Sequence, residues 1–555
     1  MGARLGALLL LLGLLARPAS LSAQTLNIDD LVKQAAQCEK HHDWLEACRL
    51  YDEVLRRDRR RDDGRIRQAY QRCLRRYHIV HRHQDQMYRT ALEHLTPSQA
   101  LDMYAHVLDT IARVYTDRVK SSPAALFAQG LEELRLAFAE PVFTREYFPG
   151  VSQEKLDVFQ KKLSAWRQRK IAHRSEARDQ VGAVGRTAQQ MGFGPRPILL
   201  TVITLEFLNG ACNALDEYTF FLSPGHYREV QAALRGRLVS IGVDLEVNGA
   251  HLEIRRIYSN SPAEKAGLMP HDRILRIDGK STDDLTAERA AELLRGRSGT
   301  TVKLEVAPSG GMDSEATLVE VKRGPVVVPS VEYGMLKEKD SLLIDLGEGM
   351  VGVFPIGKMT INYFQESTLQ EVKDALTTLQ MAGMKVLILD LRGNPGGLFK
   401  SAVEIAELFL PEGIIVISQT HLHFKDRKLS GTIRAEQPDA WLMPMVVLID
   451  GETASAAEVL AGALKDNGRA KLIGRTTFGK GSIQCILPLD KPHFERMPAG
   501  IRITVAKLLS PSWQPYSGKG IQPNHESMQE GDNILLEAQQ FLRQELLRSL
   551  QAMSP

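Results

Sequence analysis

Cysteine, tryptophan and net charge are all scarce in this chain. Its five cysteines among 555 residues are an odd number and cannot all pair within one molecule. At this length they cannot form a disulfide scaffold, which belongs to short secreted domains. The net charge of +3 is too small to imply a nucleic-acid or membrane partner. After the first residues no apolar run approaches the roughly 20 needed to cross a bilayer. No His-Glu-x-x-His is present, which removes the usual zinc-peptidase helix. No Gly-x-Ser-x-Gly is present either, which removes the turn that carries a Ser-His-Asp nucleophile.

What is present belongs to a soluble globular protein, with 43% hydrophobic and 25% charged residues. The length suggests about three or four cores. Met1 to Arg4 carries a positive charge, Leu5 to Ala16 is apolar, and small residues follow up to Ala23. That order predicts a secretory signal over 1–23, cut near Ala23, and an exported product, periplasmic or secreted, with no stable membrane insertion. Cys38, Cys48 and Cys73 fall in the first helical stretch. A Cys38–Cys48 bridge and buried unpaired thiols are both open readings.

From 24 to 95 the apolar positions (Ala35, Ala36, Trp44, Ala47, Tyr51, Leu55) recur at helical spacing around a His-His-Asp turn. This resembles one tetratricopeptide-like hairpin. A single unit cannot bury its own face, so it should lean on the helices predicted from Pro97 to Phe138. His78, His81 and His83 invite a metal reading, but no acidic or second cysteine ligand completes a set. A polar, basic helix face is the better expectation, with no metal. Residues 96–231 continue as helices, ending in Asp216-Glu-Tyr-Thr-Phe-Phe, where Asp216 can turn the chain.

Over 232–324 the composition shifts to strands. Ser240-Ile-Gly-Val-Asp-Leu-Glu-Val and His251-Leu-Glu-Ile-Arg-Arg-Ile alternate apolar and polar residues. Ser261-Pro-Ala…Ala-Gly-Leu…Asp272-Arg-Ile-Leu…Ile-Asp-Gly279 resembles the signature of a PDZ domain. His271 stands where glycine is usual in its Pro-Gly-Asp turn. Such a module adds an extended peptide to a sheet edge and holds the terminal carboxylate on backbone amides. By that resemblance the carboxylate loop is Ser240-Ile241-Gly242-Val243, with the 286–295 helix as the other wall.

From 325 to 545 strands and helices alternate. Val386-Leu-Ile-Leu-Asp390 and Met445-Val-Val-Leu-Ile449 are continuous apolar strands, as expected when both sheet faces are buried. Three runs in this section carry chemistry. Asp390-Leu-Arg-Gly-Asn-Pro-Gly396-Gly397 is a buried strand ending in a glycine turn with amides to spare. Thr453-Ala-Ser455-Ala-Ala-Glu458 fits a capping box, and equally a nucleophile at the positive end of a helix. Phe478-Gly-Lys480-Gly-Ser-Ile-Gln484 surrounds a lysine with apolar and small residues. A lysine can activate a serine only when uncharged, and burial is what removes its charge. Gly474 to Lys480 also has phosphate-loop spacing, but Gly481 stands where a hydroxyl is needed and a strand follows where that loop requires a helix.

Together these runs, with Ser510-Pro-Ser…Gly518-Lys-Gly-Ile-Gln-Pro523, resemble the carboxy-terminal processing (tail-specific) serine peptidases over roughly Tyr104 to Asn524. Glu217 replaces the proline of the family's Leu-Asp-Pro segment, and Ala457 a frequent serine. The resemblance implies a multidomain α+β chain: a helical N-terminal region, a PDZ-like β/α domain and a layered α/β (crotonase-like) peptidase core. It implies Ser455 as nucleophile, Lys480 as general base and Gln484 as its orienter. The amides of Ala456 and of Gly396 or Gly397 would form the oxyanion hole. No cofactor is required, and the partners would be proteins with exposed C-terminal tails. Asp466, eleven residues beyond Ser455, is too far along a helix to join the dyad. The rival reading is a catalytically silent tail-binding scaffold.

Overall fold

The computed structural model describes residues 27–57, 64–193, 198–248, 251–283, 285, 287–296, 298–347, 350–420, 429–489, 497–529 and 533–553. The proposed signal segment lies outside them. The chain opens with helices α1 (Ile28–Lys40) and α2 (Trp44–Arg57), joined by a turn in which His42 takes a left-handed φ of 58°. They pack with α3 (Arg65–Gln84) around a small core of their own, including Trp44, Ala47, Cys48, Tyr51 and Cys73. The hairpin packs on α3 instead of on the Pro97–Phe138 helices it was expected to lean on, and it reaches the next helices through the buried Glu140. That carboxylate accepts from Arg76 at 2.8 Å and from the Trp44 indole at 3.2 Å. The described cysteines form no disulfide, and Cys48 is buried with its Sγ 4.0 Å from the Tyr70 carbonyl oxygen.

One sequence expectation fails on α3. Its end is not a solvated basic face, because Arg82 and His83 point into the protein and are buried. Their partner is Glu206 on helix α4 (Ile198–Asn213). Arg82 donates to Glu206 at 2.7 Å and to Asn209 at 2.9 Å. The His83 ring bonds Glu206 at 3.0 Å and the Tyr147 hydroxyl at 3.1 Å. With both ring nitrogens engaged, His83 is not available as a metal ligand.

A strand pair, Arg237–Ser240 with Gly324–Val327, leads into and out of the PDZ region. Between its two strands lies a six-stranded antiparallel sheet with a separate core of Ile241, Leu252, Ile254, Ile274, Leu294, Val302 and Val321. Gly242 has φ +86°, and a Cβ there would meet the Ser261 Cβ at 2.4 Å, so packing within the module already demands glycine. The Ala287–Leu294 helix packs on the Val243–Asn248 strand as the second wall.

Two larger sheets build the remaining core, beside a two-stranded hairpin of Leu342–Gly347 and Met350–Phe354. The first is antiparallel: β1 (Phe220–Leu222), β5 (Glu412–Thr420), β6 (Gly431–Glu436), β9 (Ser482–Leu489) and β10 (Ala499–Leu509). The second runs β2 (Val331–Met335), β3 (Ile356–Ile361), β4 (Val386–Asp390), β7 (Met445–Ile449), β8 (Lys471–Gly474) and β11 (His525–Glu526), parallel from β3 onward. Its apolar strands face two cores. Leu387, Leu389, Val447 and Ile449 enter the main one. Val386, Ile388, Val446 and Leu448 meet helix α6 (Asn533–Met553) on the other side. Burial on both faces is why these strands do not alternate with polar residues.

Candidate active site

Strand β7 ends at Ile449 and the chain turns through Asp450, whose carboxylate accepts the amides of Glu452, Thr453 and Gly393. This ties the 450–453 turn to the glycine turn after β4. Helix α5 (Ala456–Asp466) then begins. At the junction Ser455 adopts φ +55°, ψ −116°, a conformation that costs a non-glycine residue on the order of 1–3 kcal/mol. Strain of this kind persists only where its surroundings enforce it, and a sharp turn onto a helix start is one way to present a hydroxyl.

The surroundings here converge on Glu458, one turn into α5 and fully buried. Its Oε2 accepts the amide of Ser455 at 2.8 Å and the amide of Lys480 at 2.8 Å. Its Oε1 accepts the amide of Gly479 at 2.8 Å and the Thr477 hydroxyl at 2.5 Å. Because one oxygen holds both amides, the Ser455 and Lys480 nitrogens lie within twice that bond length of each other. The Phe478 amide also donates to the Thr453 carbonyl at 2.9 Å. The two runs, 25 residues apart in sequence, therefore meet in space. Burial pushes the Glu458 carboxyl up, against the four donors that stabilise its ionised form.

Lys480 is buried. Its Nζ sits 4.7 Å from the ring centre of Tyr218, in the segment before β1. Burial holds its pKa well below the usual lysine value. Arg502 pushes in the same direction, and Glu217, Glu458 and Asp216 oppose it more weakly. Arg502, on β10, is itself buried with its guanidinium 5.6 Å over Phe220, and burial lowers its pKa to about 10.

Gln484 is engaged differently from the expectation. Its amide oxygen accepts from Arg502 Nη2 at 3.1 Å, and its nitrogen donates to Ser482 at 2.8 Å and to Thr504 at 3.2 Å. Ser482 and Gln484 do share one side of β9, as their side-chain bond shows, but Arg502 on the neighbouring β10 takes the Gln484 oxygen.

The glycine turn lies against the Ser455 segment. A Cβ on Gly396 would meet the Ser455 Cβ at 2.8 Å and the Ala456 nitrogen at 2.9 Å. The Gly396 amide is already committed, donating to Asn394 Oδ1 at 2.8 Å, so this geometry removes it as an oxyanion donor. The amides of Gly397 and Ala456 donate to no acceptor among the described residues. Asp466 accepts from the Ser512 amide and hydroxyl at the far end of α5.

Among the described residues one trio, Glu246, Glu253 and His271, brings possible metal-ligand atoms within 4.8 Å of one another. These side chains are half-buried or exposed, and surface carboxylates commonly gather in this way without an ion. Sequence reasoning missed Tyr218 and Arg502 as neighbours of Lys480. Their signals are weak, an aromatic after Asp216-Glu217 and an arginine inside an apolar strand.

Residues 355–527 match the peptidase family S41, and residues 253–308 match the PDZ domain. The carboxyl-terminal-processing protease of Synechocystis sp. is 37% identical over 316 residues, covering 56% of this chain and 67% of that protein. Its counterpart from Picosynechococcus sp. is 38% identical over 320 residues, covering 57% and 70%. Among solved structures, a photosystem II D1 C-terminal processing protease aligns over 80% of this chain and 97% of its own, at 22% identity and a TM-score of 0.41. The chain belongs to the carboxyl-terminal-processing peptidases of family S41 and is a serine-type protease.

Proposed function

We propose that this protein is an exported endopeptidase with a Ser455–Lys480 dyad. It would capture protein tails in the PDZ groove and cut them through an acyl-enzyme. The observation that carries the reading is the single Glu458 oxygen shared by the Ser455 and Lys480 amides. That clasp ties the strained Ser455 backbone to the backbone of the buried Lys480, which supports pairing the two side chains. Neutral Lys480 takes the hydroxyl proton as Ser455 Oγ attacks the peptide carbonyl, then returns the proton to the leaving amine. Water repeats the sequence on the ester and regenerates the serine.

The developing oxyanion would be held by the amides of Ala456, at the positive end of α5, and Gly397. Glu458 acts as a positioning group, and Gln484 acts on Lys480 indirectly, by holding Arg502. The Ser240–Val243 loop, facing the Ala287–Leu294 helix, would take the substrate's terminal carboxylate. The apolar stretch over residues 5–16, followed by small residues to Ala23, supports a signal peptide and export.

The test is digestion of a peptide with a nonpolar C-terminal tail by wild type, Ser455→Ala and Lys480→Ala. Cleavage by wild type alone is expected. Equal cleavage by all three, or none by wild type, favours the silent scaffold. The pH profile adds a check. Because the Lys480 pKa is depressed, the rate should climb as that amine deprotonates, at a pH far below the ordinary lysine range.

A further inference from the structure

Helix α3 lies outside both family-matched segments, yet it walls a cleft that reaches the neighbourhood of Lys480. Arg67, Gln71, Leu74, Arg75 and His78 line one side, at spacings that put them on a single helix face. Lys120 and the 213–220 segment close the cleft, whose volume is about 390 Å³. This lies within the range of sites that hold small ligands or a short stretch of peptide.

Its floor includes Tyr218, the ring that lies against the Lys480 amine. The two acids of the floor already have partners. Asp216 accepts the Tyr218 amide at 2.9 Å and bonds the Tyr115 hydroxyl. Glu217 bonds the Tyr218 hydroxyl. Two of the cations are disposed otherwise. The side chains of Arg75 and Lys120 make no hydrogen bond or ion pair among the described residues, although Glu132 and Glu133 lie within the field of Arg75. His78 Nε2 is buried without a hydrogen-bond partner, and burial lowers that imidazole to about 3, so it stays neutral at working pH. A buried polar atom without a partner is ordinarily a place where a ligand or water belongs.

We propose that this cleft is a binding subsite for acidic peptide, with Arg75 and Lys120 as the carboxylate-binding cations and His78 as a neutral hydrogen-bonding group. It gives the protease a preference for substrates carrying Asp or Glu near the cut, through a wall that the family-matched segments do not supply. The inference rests on the tail-cutting function proposed above for the substrate class alone.

Binding can be read without catalysis. The probe is a fluorescent, C-terminally amidated peptide rich in Asp and Glu, compared with its Asn/Gln counterpart on the full-length Ser455→Ala chain. Amidation removes the terminal carboxylate that a PDZ loop would seize. Anisotropy at low salt should show the acidic peptide binding at least tenfold more tightly. That preference should weaken with added salt, fall severalfold in Lys120→Glu, and vanish when Arg75→Glu is added. Equal affinity for the two peptides, or an undiminished preference in Lys120→Glu, overturns the proposal. Lys120 is an exposed loop residue, so its variant should fold even if substitution of the half-buried Arg75 does not. Loss of peptidase activity would strike the proposed function and leave this reading untouched.

Discussion

Arg82 and Lys480 are both buried cations, and the molecule treats them in opposite ways. Arg82 meets the Glu206 carboxylate directly, with His83 and Asn209 completing the network, and its pKa is raised. Lys480 lies against an aromatic ring with a second cation nearby, and its pKa is driven down. The carboxylates mirror this. Glu206 is ionised by side-chain cations, whereas Glu458 is held by three backbone amides and a hydroxyl. In the helical region buried charge is balanced and serves architecture. In the peptidase core the carboxylate is held by three amides and a hydroxyl, and it organises the two runs around a lysine whose charge is opposed by burial.

Making Lys480 resemble Arg82 should have the largest effect. Arginine stays protonated at any working pH, so Lys480→Arg should lower kcat/KM by on the order of 10³-fold or more, with no recovery at high pH. Next is removal of the balance in the helical region. Arg82→Met leaves Glu206 without its principal cation and should destabilise the fold by roughly 3–5 kcal/mol, read by urea unfolding. Replacing both Arg82 and Glu206 with apolar residues should recover much of that loss.

Glu458→Gln sets an amide NH2 against donors it cannot accept. A misplaced dyad should reduce kcat by about 10²-fold, with circular dichroism near that of wild type. The smallest effect should be a gain. Between the depressed folded pKa of Lys480 and about 10.4, the unfolded chain binds a proton that the native state does not. Native stability therefore carries a penalty at neutral pH that fades as pH rises toward 10.4. Lys480→Met should raise Tm at pH 7 by roughly 2–4 °C per kcal/mol recovered, and by little above pH 10.

Local pattern made much of this legible. The PDZ strands showed by alternation and the parallel strands by unbroken apolar runs. Ser455 and Lys480 stood out because each sat in a run whose composition suited its chemistry. Glu458 was legible only as a capping residue, because three of its four donors come from 477–480. Arg82 and His83 read as surface residues because their partner follows more than 120 residues later. The role given to Gln484 did not foresee Arg502, on the neighbouring strand, as the donor to its amide oxygen. Long-range pairings leave no periodic trace.

Helix α6 carries a consequence for the protease as a target of proteolysis. Ile534, Ala538, Leu542 and Leu546 pack on the back of the sheet whose strands lead into the 391–397 and 450–455 turns. Any nick that released this segment, including one made by a sister molecule, would leave Ile388, Val446 and Leu448 without their cover. Trimming there would inactivate the enzyme by collapse and could not serve as maturation.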